Sequence, residues 1–149
     1  IPLTAASFSA SEGRIDRGSL TANLLLGHGF GLSSTIAYAT SENEDPSSAT
    51  YGGPLPFVPD WAGQVALTWV NEANVKATIA ANYVGKRDDE NGVELDDYWT
   101  LDANLIWEPF GKHMEIELAG YNLLGEDFEV TSGAPGWGPT FKGSMKVRF

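Results

Sequence analysis

The last ten residues alternate without a break, and nothing else in the chain limits its fold as strongly. Phe141, Gly143, Met145, Val147 and Phe149 share one side of an extended strand; Thr140, Lys142, Ser144, Lys146 and Arg148 share the other. Successive strand side chains point to opposite faces, whereas a helix would scatter both groups around its circumference. Four more segments repeat the pattern. Trp61, Gly63, Val65, Leu67 and Trp69 share a face in 61–70, and Val75, Ala77, Ile79, Ala81 and Tyr83 do so in 75–86. Trp99, Leu101, Ala103, Leu105 and Trp107 follow in 99–108, then Met114, Ile116 and Leu118 in 113–118. Looser alternation predicts strands over about 18–26 and 31–40, and residues 3–9 make a weak eighth.

The connections are of two kinds. Gly27-His28-Gly29, Asn71-Glu72-Ala73 and Pro109-Phe110-Gly111 read as tight hairpin turns. Residues 41–60, 87–97 and 124–139 are longer and richer in acid, Gly and Pro. Short and long connections alternate strictly, as in bacterial outer-membrane barrels with short periplasmic turns and long outer loops. The C-terminus falls on the short-turn side.

A soluble β-sandwich also alternates, so the period alone leaves that reading open. Aromatic rings at the ends of the apolar faces favour lipid: Trp61 with Trp69, Trp99 with Trp107, and Tyr83. Amphipathic rings settle at headgroup level, so barrels carry aromatic girdles at both rims. Trp61 and Trp69 lie roughly 26 Å apart along a strand, which at a tilt of ~40° spans a height of about 20 Å, close to the apolar band of a barrel. The opposite face carries Lys76, Asp102, Asn104, Glu115 and Glu117, which suits a watery lumen. The fold expected is therefore all-β, an antiparallel transmembrane β-barrel segment of about eight strands.

Several chemistries are excluded. The formal net charge of -11 argues against nucleic acid, whose phosphates require a surplus of Lys and Arg. There is no cysteine, hence no disulfide and no thiolate metal site. No G-x-S-x-G elbow occurs, and Gly27-His28-Gly29-Phe30-Gly31 precedes a strand rather than the helix of a phosphate loop. The acidic run Asp88–Asp97 lacks EF-hand spacing and reads as a solvated outer loop, with weak divalent-ion bridging to lipopolysaccharide as the lesser reading. Glu115 and Glu117 read as lumen carboxylates offset by Lys142, Lys146 and Arg148 on the neighbouring strand. His28 and His113 are too far apart in sequence to suggest a metal pair. No catalytic residue, metal ligand or cofactor is expected, so the chain is not read as an enzyme. Tyr51, Phe57 and Trp137, in the long loops, are the candidates for ligand contact.

These segments also resemble a known family, the TonB-dependent outer-membrane receptors. The resemblance is carried by Pro54-Leu55-Pro56-Phe57-Val58-Pro59 before the strand Gln64–Trp69, by Tyr83-Val84-Gly85-Lys86-Arg87, and by Tyr98–Leu105. Glu117–Phe128, with Asn122-Leu123-Leu124, is similar to the family's Asn-Leu-aromatic-Asp segment, and Gly133–Pro139 resembles its last loop. Gly125 stands where an acid is usual, Phe128 where Tyr is usual, and Thr140 where Arg is common. The resemblance implies that residues 1–149 are the C-terminal portion of a larger barrel, without the plug domain. It also implies a bacterial outer-membrane location and energy-coupled uptake of a scarce nutrient such as an iron chelate, a cobalamin-like cofactor or a glycan. Implied partners are membrane lipid and lipopolysaccharide, the remaining strands and plug, a TonB-type energy-coupling protein, and the barrel-assembly machinery. That machinery would read Phe141, Met145, Val147 and Phe149. Two alternatives stay open: a self-contained eight-stranded barrel with a structural or adhesive role, and a secreted β-sandwich binding module.

Overall fold

The computed structural model of this chain describes residues 12–148. Within them lie β1 (Gly13–Gly27), β2 (Phe30–Asn43), β3 (Trp61–Val70), β4 (Val75–Val84), β5 (Arg87–Asp88) and β6 (Glu94–Leu95). These are followed by β7 (Tyr98–Trp107), β8 (Pro109–Lys112), β9 (Met114–Tyr121), β10 (Glu129–Thr131), β11 (Ala134–Pro135) and β12 (Thr140–Val147). The strand expected over 3–9 and the terminal Phe149 lie outside the described residues.

Seven strands make one sheet in the order β1-β2-β3-β4-β7-β9-β12, every neighbour antiparallel. This is an up-and-down meander in which each strand pairs with the next long one in sequence. Among the described residues it does not close on itself, since β1 and β12 are both edges. Each is exposed along its whole length. Such rows of unpaired backbone groups are what further barrel strands would satisfy.

The register carries the sequence alternation across the sheet. One continuous row runs Leu24, Leu32, Leu67, Ile79, Ala103, Gly120, Phe141. The next row toward the short turns runs Phe30, Trp69, Ala77, Leu105, Leu118, Gly143. Polar rows facing the other way alternate with the apolar ones along the sheet, such as Thr21, Thr35, Gln64, Asn82, Thr100. No second sheet covers the apolar side among the described residues. Val65 is 47% exposed, Leu67 37%, Leu105 39% and Val147 48%. A β-sandwich would bury these side chains in a shared core, so that alternative fails on this point.

Three strands run further than their apolar stripes predict. β1 begins at Gly13, β2 ends at Asn43 and β9 ends at Tyr121. Past the apolar band the ladder needs no apolar face. Arg14 pairs with Asp16 at 2.9 Å in solvent there, and neither residue marks the strand in sequence.

The turn joining β1 to β2 depends on one close approach. Val70 N–H donates to the Gly29 carbonyl at 2.9 Å, and a side chain at Gly29 would collide with the Val70 carbonyl oxygen. Gly29 has a φ of 81° and Gly27 one of 82°, but Gly27 faces open space. Gly29→Ala is therefore expected to cost more than Gly27→Ala. Backbone strain of about 1–2 kcal/mol is common to both, and overpacking of typically 1–3 kcal/mol is added at Gly29 alone. Urea unfolding of the two variants in detergent micelles checks the order.

Candidate functional site

Two regions are built for a purpose that a plain sheet does not require: the two ends of the apolar face, and the loops beyond β2, β4 and β9. On the apolar face the five rings predicted as a girdle fall into two rows. At the long-loop end Trp61 lies against Tyr38, and Tyr83 against Trp99, each with ring centroids 4.7 Å apart. Tyr83 also donates its hydroxyl to Asp97 at 3.1 Å, so the ring stays on the apolar side while its polar tip reaches the loop. At the short-turn end Trp69 sits 6.2 Å from Phe30, and Trp107 lies opposite Val75. A hollow of about 500 Å³ lies beside Phe30 and Trp69, where Ala77 and Ala103 are small. Phe141, Met145 and Val147 share the exposed apolar face of β12.

The polar face is a hydrogen-bonded lattice. Gln64 donates to Asn82 at 2.7 Å, and Asn82 donates to Thr100 and Asp102 at 3.2 and 3.0 Å. Thr21 bonds Thr35, and Thr68 bonds Thr78, both at 3.1 Å. Glu117 accepts from Asn104 at 2.7 Å and from Ser144, directly opposite it in the ladder, at 3.3 Å, so its partners are neutral groups rather than the basic side chains expected from the neighbouring strand. Arg148 reaches Glu115 at 3.9 Å.

Among the described residues the long loops hold the two most deeply buried side chains, Asp89 and Leu95. The run Asp88–Asp97, expected as a solvated loop, is a β5–β6 ribbon around Asp89, which is wholly buried, and Leu95, only 2% exposed. Asp89 Oδ1 accepts the amides of Asn91 and Val93 at 2.8 and 2.9 Å, closing an Asx turn. Its Oδ2 faces the Ser132 amide at 3.4 Å, in the turn between β10 and β11. Arg87 donates to the carbonyls of Glu129 and Asp96, and its guanidinium lies 5.2 Å over the Tyr98 ring. Phe57 N–H donates to the Asp88 carbonyl at 2.7 Å. The three long loops are thus joined by direct bonds. On the rim of this cap Glu94, at 2.7 Å, holds the exposed Lys86 ammonium above its usual range.

The three loop aromatics are not brought into one cluster. Trp137 is 83% exposed and Tyr51 is exposed, whereas Phe57 is half-buried at a φ of 61°. Among the described residues no three His, Asp or Glu side chains converge as a metal site. Sequence reading missed Asp89, Arg87 and the buried asparagines Asn43, Asn82 and Asn122. The one available signal was Asp89-Glu90-Asn91-Gly92, an Asx-turn composition that acidic neighbours mask.

A sequence model described as TonB dependent receptor-like, beta-barrel, matches residues 8–123. The fold is also that of solved uptake receptors and transporters. Against the ferric yersiniabactin uptake receptor FyuA from Yersinia pestis the TM-score is 0.64 at 21% identity, over 89% of this chain and 22% of that one. The copper transporter OprC gives 0.73 at 17%, over 92% and 24%. The FrpB iron transporter from Neisseria meningitidis gives 0.70 at 17%, over 91% and 23%. The chain thus spans less than a quarter of each of these proteins. Comparison with curated protein sequences gives no match.

Hydrogen bonds from the Val93 amide, and then from those of Asn91 and Ser132, hold the Asp89 carboxyl below its usual range against the opposing effect of burial. A carboxyl with a depressed folded pKa stabilises the fold above its unfolded pKa, and that contribution is lost as pH falls through the folded value. Amide exchange at Asn91, Val93 and Ser132, corrected for intrinsic rates, is expected to stay slow through the ordinary carboxylate range and to rise only below it. Asp89→Asn should exchange faster at neutral pH and lose the acid step. An acid step that survives in Asp89→Asn would remove Asp89 from this role.

Proposed function

We propose that this chain, which belongs to the TonB-dependent receptor-like β-barrel family, forms late barrel wall and outer loops of a bacterial outer-membrane transporter. One observation carries the reading: a seven-stranded sheet keeps continuous rows of Leu, Ile and Val exposed on one face, bounded at both ends by aromatic rings. In water such a surface is an aggregation liability. Against hydrocarbon it is the stable arrangement, because the paired ladder leaves no backbone group unsatisfied between neighbouring strands.

In this role the apolar face meets membrane lipid, with lipopolysaccharide at the outer row, and Trp61, Trp69, Tyr83, Trp99 and Trp107 anchor it at the two interfaces. The polar lattice faces a plug within the lumen, and the edges β1 and β12 pair with the rest of the barrel. Phe141, Met145, Val147 and Phe149 present the assembly signal, and the plug engages a TonB-type energy coupler. The cargo is a scarce nutrient. Metal uptake leads among the candidates, because the similar structures are a ferric yersiniabactin uptake receptor, a copper transporter and an iron transporter. The family is one of receptors and transporters, and no reaction is assigned.

Val65 lies midway between Trp61 and Trp69 on the apolar face of β3, and Thr35 in a polar row. Lysine at the lipid face of a barrel midplane costs about 2–4 kcal/mol, so Val65→Lys should lower folding stability in lipid by that order, whereas Thr35→Lys should cost much less. Fractionation of cells expressing the full-length protein, with uptake of radiolabelled metal chelates by metal-starved cells, tests the function. The protein should pellet with the outer membrane, and its deletion should abolish energy-dependent uptake of at least one chelate. Recovery in the aqueous fraction without detergent would contradict the proposal.

A further inference from the structure

Trp137 combines two properties that rarely occur together in a loop: the indole is almost wholly exposed, yet the backbone beneath it is clamped on both sides. On one side Gly136 N–H donates to the Phe128 carbonyl at 2.7 Å, and Gly136 lies so close to the Phe128 ring that a methyl group there would collide with it. That ring stacks on Tyr98 with centroids 4.1 Å apart. On the other side the Trp137 carbonyl accepts a bond from Asn122 Nδ2 at 2.9 Å.

Asn122 is the end of a longer chain of bonds. It is buried, with a φ of 48°, at the point where β9 leaves the ladder. Its Nδ2 also donates to the Glu126 carbonyl at 2.9 Å, and its Oδ1 accepts the Glu126 amide at 3.0 Å. Its own amide donates to Asp102 Oδ1 at 3.0 Å rather than to a strand carbonyl. Asp102 Oδ2 in turn accepts from Asn82, which accepts from Gln64. A path of hydrogen bonds thus runs from β3 through β4 and β7 to the backbone amide and side chain of Asn122, just past β9, and ends on the backbone of Trp137. Among the described residues Asp102 makes no hydrogen bond to the last loop, yet it holds the residue that does.

We propose that Asn122 is a positioning residue for ligand capture at the outer face, and that Asp102, through it, sets the pose of Trp137 from inside the sheet. The claim rests on the transport reading only in making Trp137 a ligand contact; the positioning itself is independent of cargo. A large ring held rigid in solvent gives up little conformational entropy on binding, so pre-organisation rather than extra contact area is what the path provides. Selectivity at this loop then depends on two residues that never meet the ligand.

The test uses the full-length protein in detergent micelles without ligand. Amide exchange is read by mass spectrometry over 124–139, over 87–97 and in the β3–β4 ladder. A nitroxide attached to the thiol of a Trp137→Cys variant, with any other cysteine removed, reports local mobility. Asn122→Asp keeps the acceptor and the tolerated φ but deletes both Nδ2 donors. Asp102→Asn places a donor against one of the two donors that the carboxylate now receives. A lost hydrogen bond is worth about tenfold in a local opening equilibrium. Each variant is therefore expected to speed exchange in 124–139 by about tenfold and to mobilise the nitroxide, leaving 87–97 and the ladder unchanged. If Asn122→Asp fails to fold, Asn122→Gly, which suits the positive φ, is read in the same way. Unchanged exchange and label mobility in 124–139 would overturn the proposal. So would a uniform rise across all three regions, which would make both residues general supports of the fold. Uptake by intact cells is a separate readout, so failure of the transport reading leaves this result standing.

Discussion

An antiparallel ladder satisfies its backbone along its whole length and sends alternate side chains to opposite sides, so a single sheet can face two different solvents at once. Everything else here follows from that separation. The row from Leu24 to Phe141 and the row from Thr21 to Thr100 lie close together on opposite faces of the same ladder. A one-residue slip would send each strand's side chains to the wrong face, so the register is fixed by the cost of placing Gln64, Asn82 or Asp102 in hydrocarbon. The aromatic pairs mark where the apolar solvent ends. Beyond them the strands continue as exposed ladder.

Burial is arranged in the opposite sense to a water-soluble domain. The sheet interior contributes small buried residues such as Ala66 and Ala119, whereas Leu55, Arg87, Asp89 and Leu95 are buried among the loops. In the proposed barrel, loops standing in water supply their own compact packing, while the strands rely on lipid to cover theirs. Three asparagines serve as organisers at or near strand ends. Asn43 donates to Ser48 and Thr50, Asn82 ties three strands, and Asn122 holds the last loop. An amide offers both donors and an acceptor, so one side chain fastens several backbone or hydroxyl groups without burying a charge.

The seven long strands of the sheet were legible in sequence because a period of two, repeated in Trp61–Val70, Val75–Val84 and Tyr98–Trp107, is local and redundant. Strand ends were less legible. Gly13–Arg17 and Ala119–Tyr121 pair through their backbones, and their side chains meet no apolar solvent that would impose a pattern. The loop cap was largely hidden. Asp89 sits among Asp88, Glu90, Glu94, Asp96 and Asp97, and composition cannot show which acid turns inward to meet three amides. The pairing of Glu117 was misjudged because the pattern shows which strand lies alongside but not the register, which sets Ser144 directly opposite Glu117 and the lysines opposite Ala119 and Glu115. Tyr51, Phe57 and Trp137 were singled out as loop aromatics, but only the structure distinguishes the clamped, exposed Trp137 from the half-buried Phe57.

The central claim is tested most directly by a cysteine scan along β3, with a nitroxide placed in turn at positions 63 to 68 of the full-length protein in lipid bilayers. Collision rates with molecular oxygen, which concentrates in hydrocarbon, and with a water-soluble nickel chelate should alternate from one position to the next. Positions 63, 65 and 67 should favour oxygen, and 64, 66 and 68 the chelate. Equal access of both reagents at successive positions, or odd positions closed to both, would show that this sheet does not divide lipid from water.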